Sequence, residues 1–74
     1  INYQIPDAGR VKIVLYNVLG QEVRTLVDQS MEAGFHNVVW DGADEYGRRV
    51  ASGLYVYRMT ANNFNHIRKM MLLK

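Results

Sequence analysis

No cysteine occurs among the 74 residues. Disulfides, the usual support of small secreted domains, are therefore excluded, and packing alone must hold the fold. Thiolate chemistry goes with them, as a nucleophile or as a metal ligand. There is no apolar run approaching the roughly 20 residues of a membrane helix. Nor does a basic and then apolar signal peptide open the chain. Any export address is expected elsewhere in a longer parent protein or in the fold itself. Sustained helical periodicity, internal repeats and low-complexity segments are all missing. Gly-rich phosphate loops are absent, and Ser30 and Ser52 lie in no nucleophile elbow. Together these absences argue against an enzyme, and no cofactor is expected.

What is present suits one small domain. A domain of this size buries only about 60% of the surface its unfolded chain exposes. Such a chain has little room for an internal cleft of about 300 Å³ or more. The 49% hydrophobic and 22% charged composition predicts a folded chain rather than a disordered tail. A net charge of +2 is too mild for a nucleic-acid-binding face.

Apolar and polar residues alternate along most of the chain, which is strand periodicity. Ile1 to Ile5 reads as a half-buried strand, and Pro6 removes a ladder donor and stops it. Asp7 to Arg10 reads as a turn. Val11 to Tyr16 follows, with Val11, Ile13 and Leu15 on one face. Asn17 to Gly20 turns into a weaker strand, Glu22 to Val27, whose pattern suits a sheet edge. Its alternation places Val23, Thr25 and Val27 opposite Glu22, Arg24 and Leu26. Asp28 to Gly34 is ambiguous. A strand from Phe35 to Trp40 puts His36, Val38 and Trp40 on one face. A polar loop, Asp41 to Gly47, leads to the Ser52-Gly53 turn and to a β-branched and aromatic strand, Leu54 to Thr60. Gly53, Tyr55, Tyr57 and Met59 share a face there. Gly53 is expected at positive φ, so that its turn delivers Tyr55 inward. Asn62-Asn63 reads as a hairpin turn, and the last strand runs from about Phe64 to Leu73, its core contacts being Met70 and Leu72. Strands every 8–12 residues or so with turns between them predict an antiparallel β-sandwich of about seven short strands.

Several blocks carry a resemblance: Val18-Leu19-Gly20-Gln21-Glu22-Val23, Ala33-Gly34-Phe35-His36, Val39-Trp40-Asp41-Gly42, Gly47, Val50 to Arg58, Arg68-Lys69-Met70 and Leu72-Leu73-Lys74. In this order they resemble the C-terminal sorting domain of the type IX secretion system. That family is Ig-like and related to the Ig-like domain of flagellar hook-capping proteins. The resemblance implies an all-β, Ig-like sandwich over residues 1–74, excised from a larger secreted protein. It implies cargo that reaches the cell surface or medium through the periplasm. The implied partners are the outer-membrane translocon, the surface-attachment machinery and the parent's upstream domains, with no nucleic acid and no membrane insertion. The family's Asn/Pro-rich lead-in and cleavage site would lie before Ile1. The alternative expectation is a structural Ig-like module of a surface or appendage protein.

Candidate sites are weighed against plainer readings. Asp41, Asp44 and Glu45 crowd a glycine-flanked loop and supply calcium-type oxygens. They lack the spacing of a calcium loop, so a solvated turn with Asx hydrogen bonds is the stronger expectation. His36 and His66 are too far apart in sequence to suggest a metal pair. Trp40, Tyr55, Tyr57 and Tyr16 offer a sugar-stacking platform, but core packing accounts for them better. Arg48, Arg49, Arg68, Lys69 and Lys74 fit an export partner's contact surface about as well as a merely solubilising one. Arg68, Lys69 and Lys74 are the recognition candidates. Lys12, Arg24 and Arg58, with Arg68 and Lys69, double as guards against edge aggregation. Gly34, Trp40, Gly42, Gly53, Tyr55, Tyr57, Met70 and Leu72 are assigned structural roles.

Overall fold

The structure, a computed structural model, describes residues 1–61 and 64–73. Its strands are β1 (Asn2–Ile5), β2 (Gly9–Tyr16), β3 (Glu22–Met31), β4 (Gly34–Asn37), β5 (Gly53–Ala61) and β6 (Phe64–Leu72). They form two antiparallel sheets, one ordered β3-β2-β5-β6 and one made of β1 and β4. This is the all-β, Ig-like sandwich the sequence predicts, with six strands among the described residues rather than seven. The stretch from Val38 to Ser52 makes no strand. It is a structured loop closed by an isolated bridge between Ala43 and Arg49. The Asn62-Asn63 turn lies outside the described residues.

The core follows the two-residue alternation. Val11, Ile13 and Leu15 of β2 are fully buried, with Tyr55, Met59 and Ala61 of β5 beside them. Tyr3 and Ile5 close over this layer from β1. The Tyr3 hydroxyl reaches Met31 Sδ at 3.1 Å, and burial pushes its pKa up. Val38, Trp40 and Tyr57 are half-buried rather than enclosed. Val14, on the opposite face and flanked by Thr25 and Arg58, is also buried.

β3 departs from the simple pattern. It runs on to Met31, absorbing much of the ambiguous stretch. Its register against β2 shifts twice, between Ile13 and Val14 and between Leu15 and Tyr16. Each shift leaves one residue of β3 unpaired, Leu26 and then Val23. Such bulges reset which side chains point inward. Leu26 thus packs on the core beside Val27, which strict alternation had put on the other side. β4 is shorter than expected and ends at Asn37, although Val38 still exchanges backbone hydrogen bonds with Ile1.

Gly53 opens β5 with φ +146°, a conformation L side chains rarely adopt. A Cβ there would meet nothing within 4 Å, so a side chain at this position is opposed by backbone strain and not by crowding. The turn does deliver Tyr55 inward, and its hydroxyl donates to the Ala51 carbonyl at 2.6 Å.

Candidate functional site

The acidic loop is a latch on a strand edge. Asp41 Oδ1 accepts from the Ala43 N–H at 3.1 Å and from the Arg24 guanidinium at 2.7 Å. Asp44 Oδ1 accepts from the Tyr46 and Arg48 N–H groups at 3.0 and 2.9 Å. Glu45 reaches across to β3: its Oε2 accepts from the Thr25 N–H at 2.9 Å and its own N–H donates to the Val23 carbonyl at 3.1 Å. β3 is an edge of the large sheet, and this loop satisfies backbone groups that would otherwise invite another strand. Asp41 and Asp44 thus make the local turn hydrogen bonds that the Asx reading describes, whereas Glu45 serves a donor on β3. No trio of His, Cys, Asp or Glu among the described residues is arranged to hold a metal ion.

Trp40 and Gly42 anchor the latch from below. The indole N–H donates to the Ala43 carbonyl at 2.8 Å, and the ring meets Tyr55 edge-on at 5.0 Å. Gly42 takes φ +80° in a buried position beside the Leu72 side chain, which a Cβ would meet at 3.7 Å. Gly34 opens β4, also at positive φ.

The Arg48 backbone N–H, aided by the Tyr46 N–H and the Arg48 guanidinium, lowers the Asp44 carboxyl against a smaller opposing effect of desolvation. A carboxyl lowered by folding contributes stability above its unfolded value, and that contribution is lost as pH falls through the lowered folded value. In an acid titration the Tyr46 and Arg48 amide resonances should shift with a midpoint below the ordinary 3.8 of an aspartate. Asp44→Asn should flatten both curves. A midpoint at or above 3.8 would show that these N–H groups do not hold the carboxylate.

The remaining candidates are dispersed. His36 stacks on Tyr3 at 5.5 Å and bonds the Glu32 carbonyl at 2.7 Å, while His66 sits on β6 in the other sheet. Tyr16 pairs across from Val56, and Tyr55 and Tyr57 lie one residue out of phase with it, so these aromatics do not make one platform. Arg48 leans over the Tyr46 ring and pairs with Asp44. Arg49 pairs through its backbone with Ala43. Arg24, expected as an edge guard, instead ties the latch to β3.

Among the described residues, β6 is an open edge of the large sheet. Arg68 stands opposite Tyr57 and Lys69 opposite Val56, so the two cations point to different faces. The sequence grouped them as one recognition set, and alternation along β6 divides them. Lys74 lies outside the described residues. Met70 and Leu72 share the inward parity of Arg68 and are half-buried. On the outer face, Ile67 and Met71 are exposed beside Lys69, with Leu54 across from Met71. Exposed Val18 and Leu19 form a rigid hairpin tip, because the Asn17 side chain accepts from the Leu19 and Gln21 N–H groups. The sequence places both in the Asn17 to Gly20 turn, and the structure puts them at its tip.

A family model described as FlgD Ig-like domain matches residues 3–64. The chain belongs to the FlgD Ig-like domain family. That match spans β1 through the start of β6, and so takes in both sheets and the latch. No match was found among curated proteins, and none among solved structures. The FlgD Ig-like domain family thus supports the Ig-like part of the resemblance read from the sequence. Nothing in these comparisons points to type IX secretion.

Proposed function

We propose that this chain is a non-catalytic Ig-like module of a surface or appendage protein, working through contacts along its strand edges. The observation that carries this reading is the contrast between the two edges of the large sheet. The β3 edge is latched by the acidic loop, whereas β6, nine residues long, pairs on one side only among the described residues. An open edge offers backbone hydrogen bonds to an incoming strand. Exposed Arg68 and Lys69 restrain indiscriminate pairing along it.

A finer reading is the type IX sorting module, favoured by the basic and apolar composition of the exposed β6 segment and by the ordered motifs ending in Arg68-Lys69-Met70 and Leu72-Leu73-Lys74. One experiment separates the two. The domain is fused behind a signal peptide and a folded reporter in a host with the type IX translocon. A sorting module carries the reporter to the surface or medium, and deletion of residues 69–74 traps it in the periplasm. Lys69→Ala changes an exposed charge and should cost less than about 1 kcal/mol in stability. Lost export with an unchanged melt then marks Lys69 as a recognition group. An intact fusion that stays periplasmic removes the sorting reading and leaves the structural module.

A further inference from the structure

The two sheets of this sandwich are unequal, four strands facing two. Between β1 and the inner faces of β5 and β6 lies an open groove of about 740 Å³, bordered by Asn2, Gln4, Tyr57, Met59, His66 and Arg68. One wall of it is a free strand edge. Ile1 and Val38 exchange both backbone hydrogen bonds, at 2.8 and 2.9 Å. In an antiparallel ladder such pairs alternate with pairs whose backbone groups point away from the partner. The register pairs Asn2 with Asn37, Tyr3 with His36, Gln4 with Phe35 and Ile5 with Gly34. Tyr3 and Ile5 therefore turn their N–H and carbonyl groups to β4, and Asn2 and Gln4 turn theirs outward. No described strand pairs with that side of β1. Pro6, the next outward position, has no N–H and ends the row of donors.

We propose that this groove takes an extended strand from a partner protein, which adds to β1 as the third strand of the small sheet and sets an acidic side chain against Arg68. Strand addition supplies the backbone pairing that Asn2 and Gln4 lack, and side chains at every second position select the partner. The selection is acidic because no carboxylate borders the groove and Arg68 enters no ion pair among the described residues. Tyr57 and Met59 give the floor an apolar stretch for the neighbouring inward side chains. A second copy of this chain fits less well, since its own free β1 edge offers Asn2 and Gln4 and no acid. The site lies on the inner side of β6, where it shares Arg68 but not Lys69 with the sorting reading.

The test uses the 74-residue chain and two blocked hexapeptides, Thr-Val-Glu-Val-Thr-Val and the same peptide with Lys for Glu. Amide hydrogen exchange reads the edge directly. In the free protein the Gln4 amide should exchange fast while Tyr3 and Ile5 are protected, and the acidic peptide should slow Gln4. Arg68→Glu, at an exposed position, should weaken the acidic peptide about tenfold and make the lysine peptide the better ligand. Gln4→Pro removes an outward donor without removing a bond to β4, and should abolish binding of both. No protection of Gln4 by either peptide overturns the proposal. So does equal binding of the two peptides with no response to Arg68→Glu. Gln4 protection that rises with protein concentration alone, with a dimer seen by light scattering, overturns the assigned occupant and gives the groove to a second copy.

Discussion

Ile13→Ala is expected to leave little folded protein at room temperature. Ile13 is fully buried in the middle of β2, opposite Val27 on one side and Met59 on the other, and both of those are buried too. Truncating such a side chain removes its transfer free energy and leaves a cavity, together about 2–5 kcal/mol. The total stability of a domain this small without disulfides or metal is about 3–5 kcal/mol. These neighbours are ladder residues of β3 and β5, so the cavity cannot close by a simple shift of one loop. Urea melts provide the measure. Phe35→Ala is the control: Phe35 is 83% exposed, and its loss should cost no more than about 0.5 kcal/mol. Similar losses at both positions would mean that the β2 layer is not the core.

Trp40→Ala is expected to release the acidic latch without unfolding the sheets outright. A fully buried tryptophan costs about 3–5 kcal/mol to truncate. Trp40 is half-buried, so we expect about 2–3 kcal/mol on the same scale. The loss has two parts that can be separated. One is the edge-on contact with Tyr55, and the other is the indole N–H bond to the Ala43 carbonyl. Trp40→Phe keeps an aromatic ring and drops the donor, and should cost about 1 kcal/mol. Hydrogen exchange locates the effect. The Glu45 and Val50 amides, bonded to Val23 and Gly42, should lose protection in the alanine variant before the β2 amides do. Uniform loss across β2 and the loop would make Trp40 a core residue of the whole domain. An unchanged loop would make it peripheral.

The latch also shows what kind of residue role can be read in advance. Asp41 and Asp44 were legible as turn formers because Asx hydrogen bonds are local and depend on residues two to four positions away. That Glu45 would bind Thr25 was not legible, because that contact depends on where two distant segments meet. The same holds for Arg24, which alternation alone marked only as a charge on an edge strand.

The sequence by itself determined the all-β class, the places of β1, β2 and β5, the inward face of Val11, Ile13, Leu15, Tyr55 and Met59, and the positive φ of Gly53. These follow from alternation and turn chemistry, which act within a few residues. Tertiary structure decided the two bulges of β3, the reach of Glu45 to Thr25, the division of Arg68 from Lys69, and the uncovered edge of β1 among the described residues. Each of these depends on which strand lies beside which and in what register. A period-two pattern fixes which residues share a face, but it carries no information about the neighbour that will cover it.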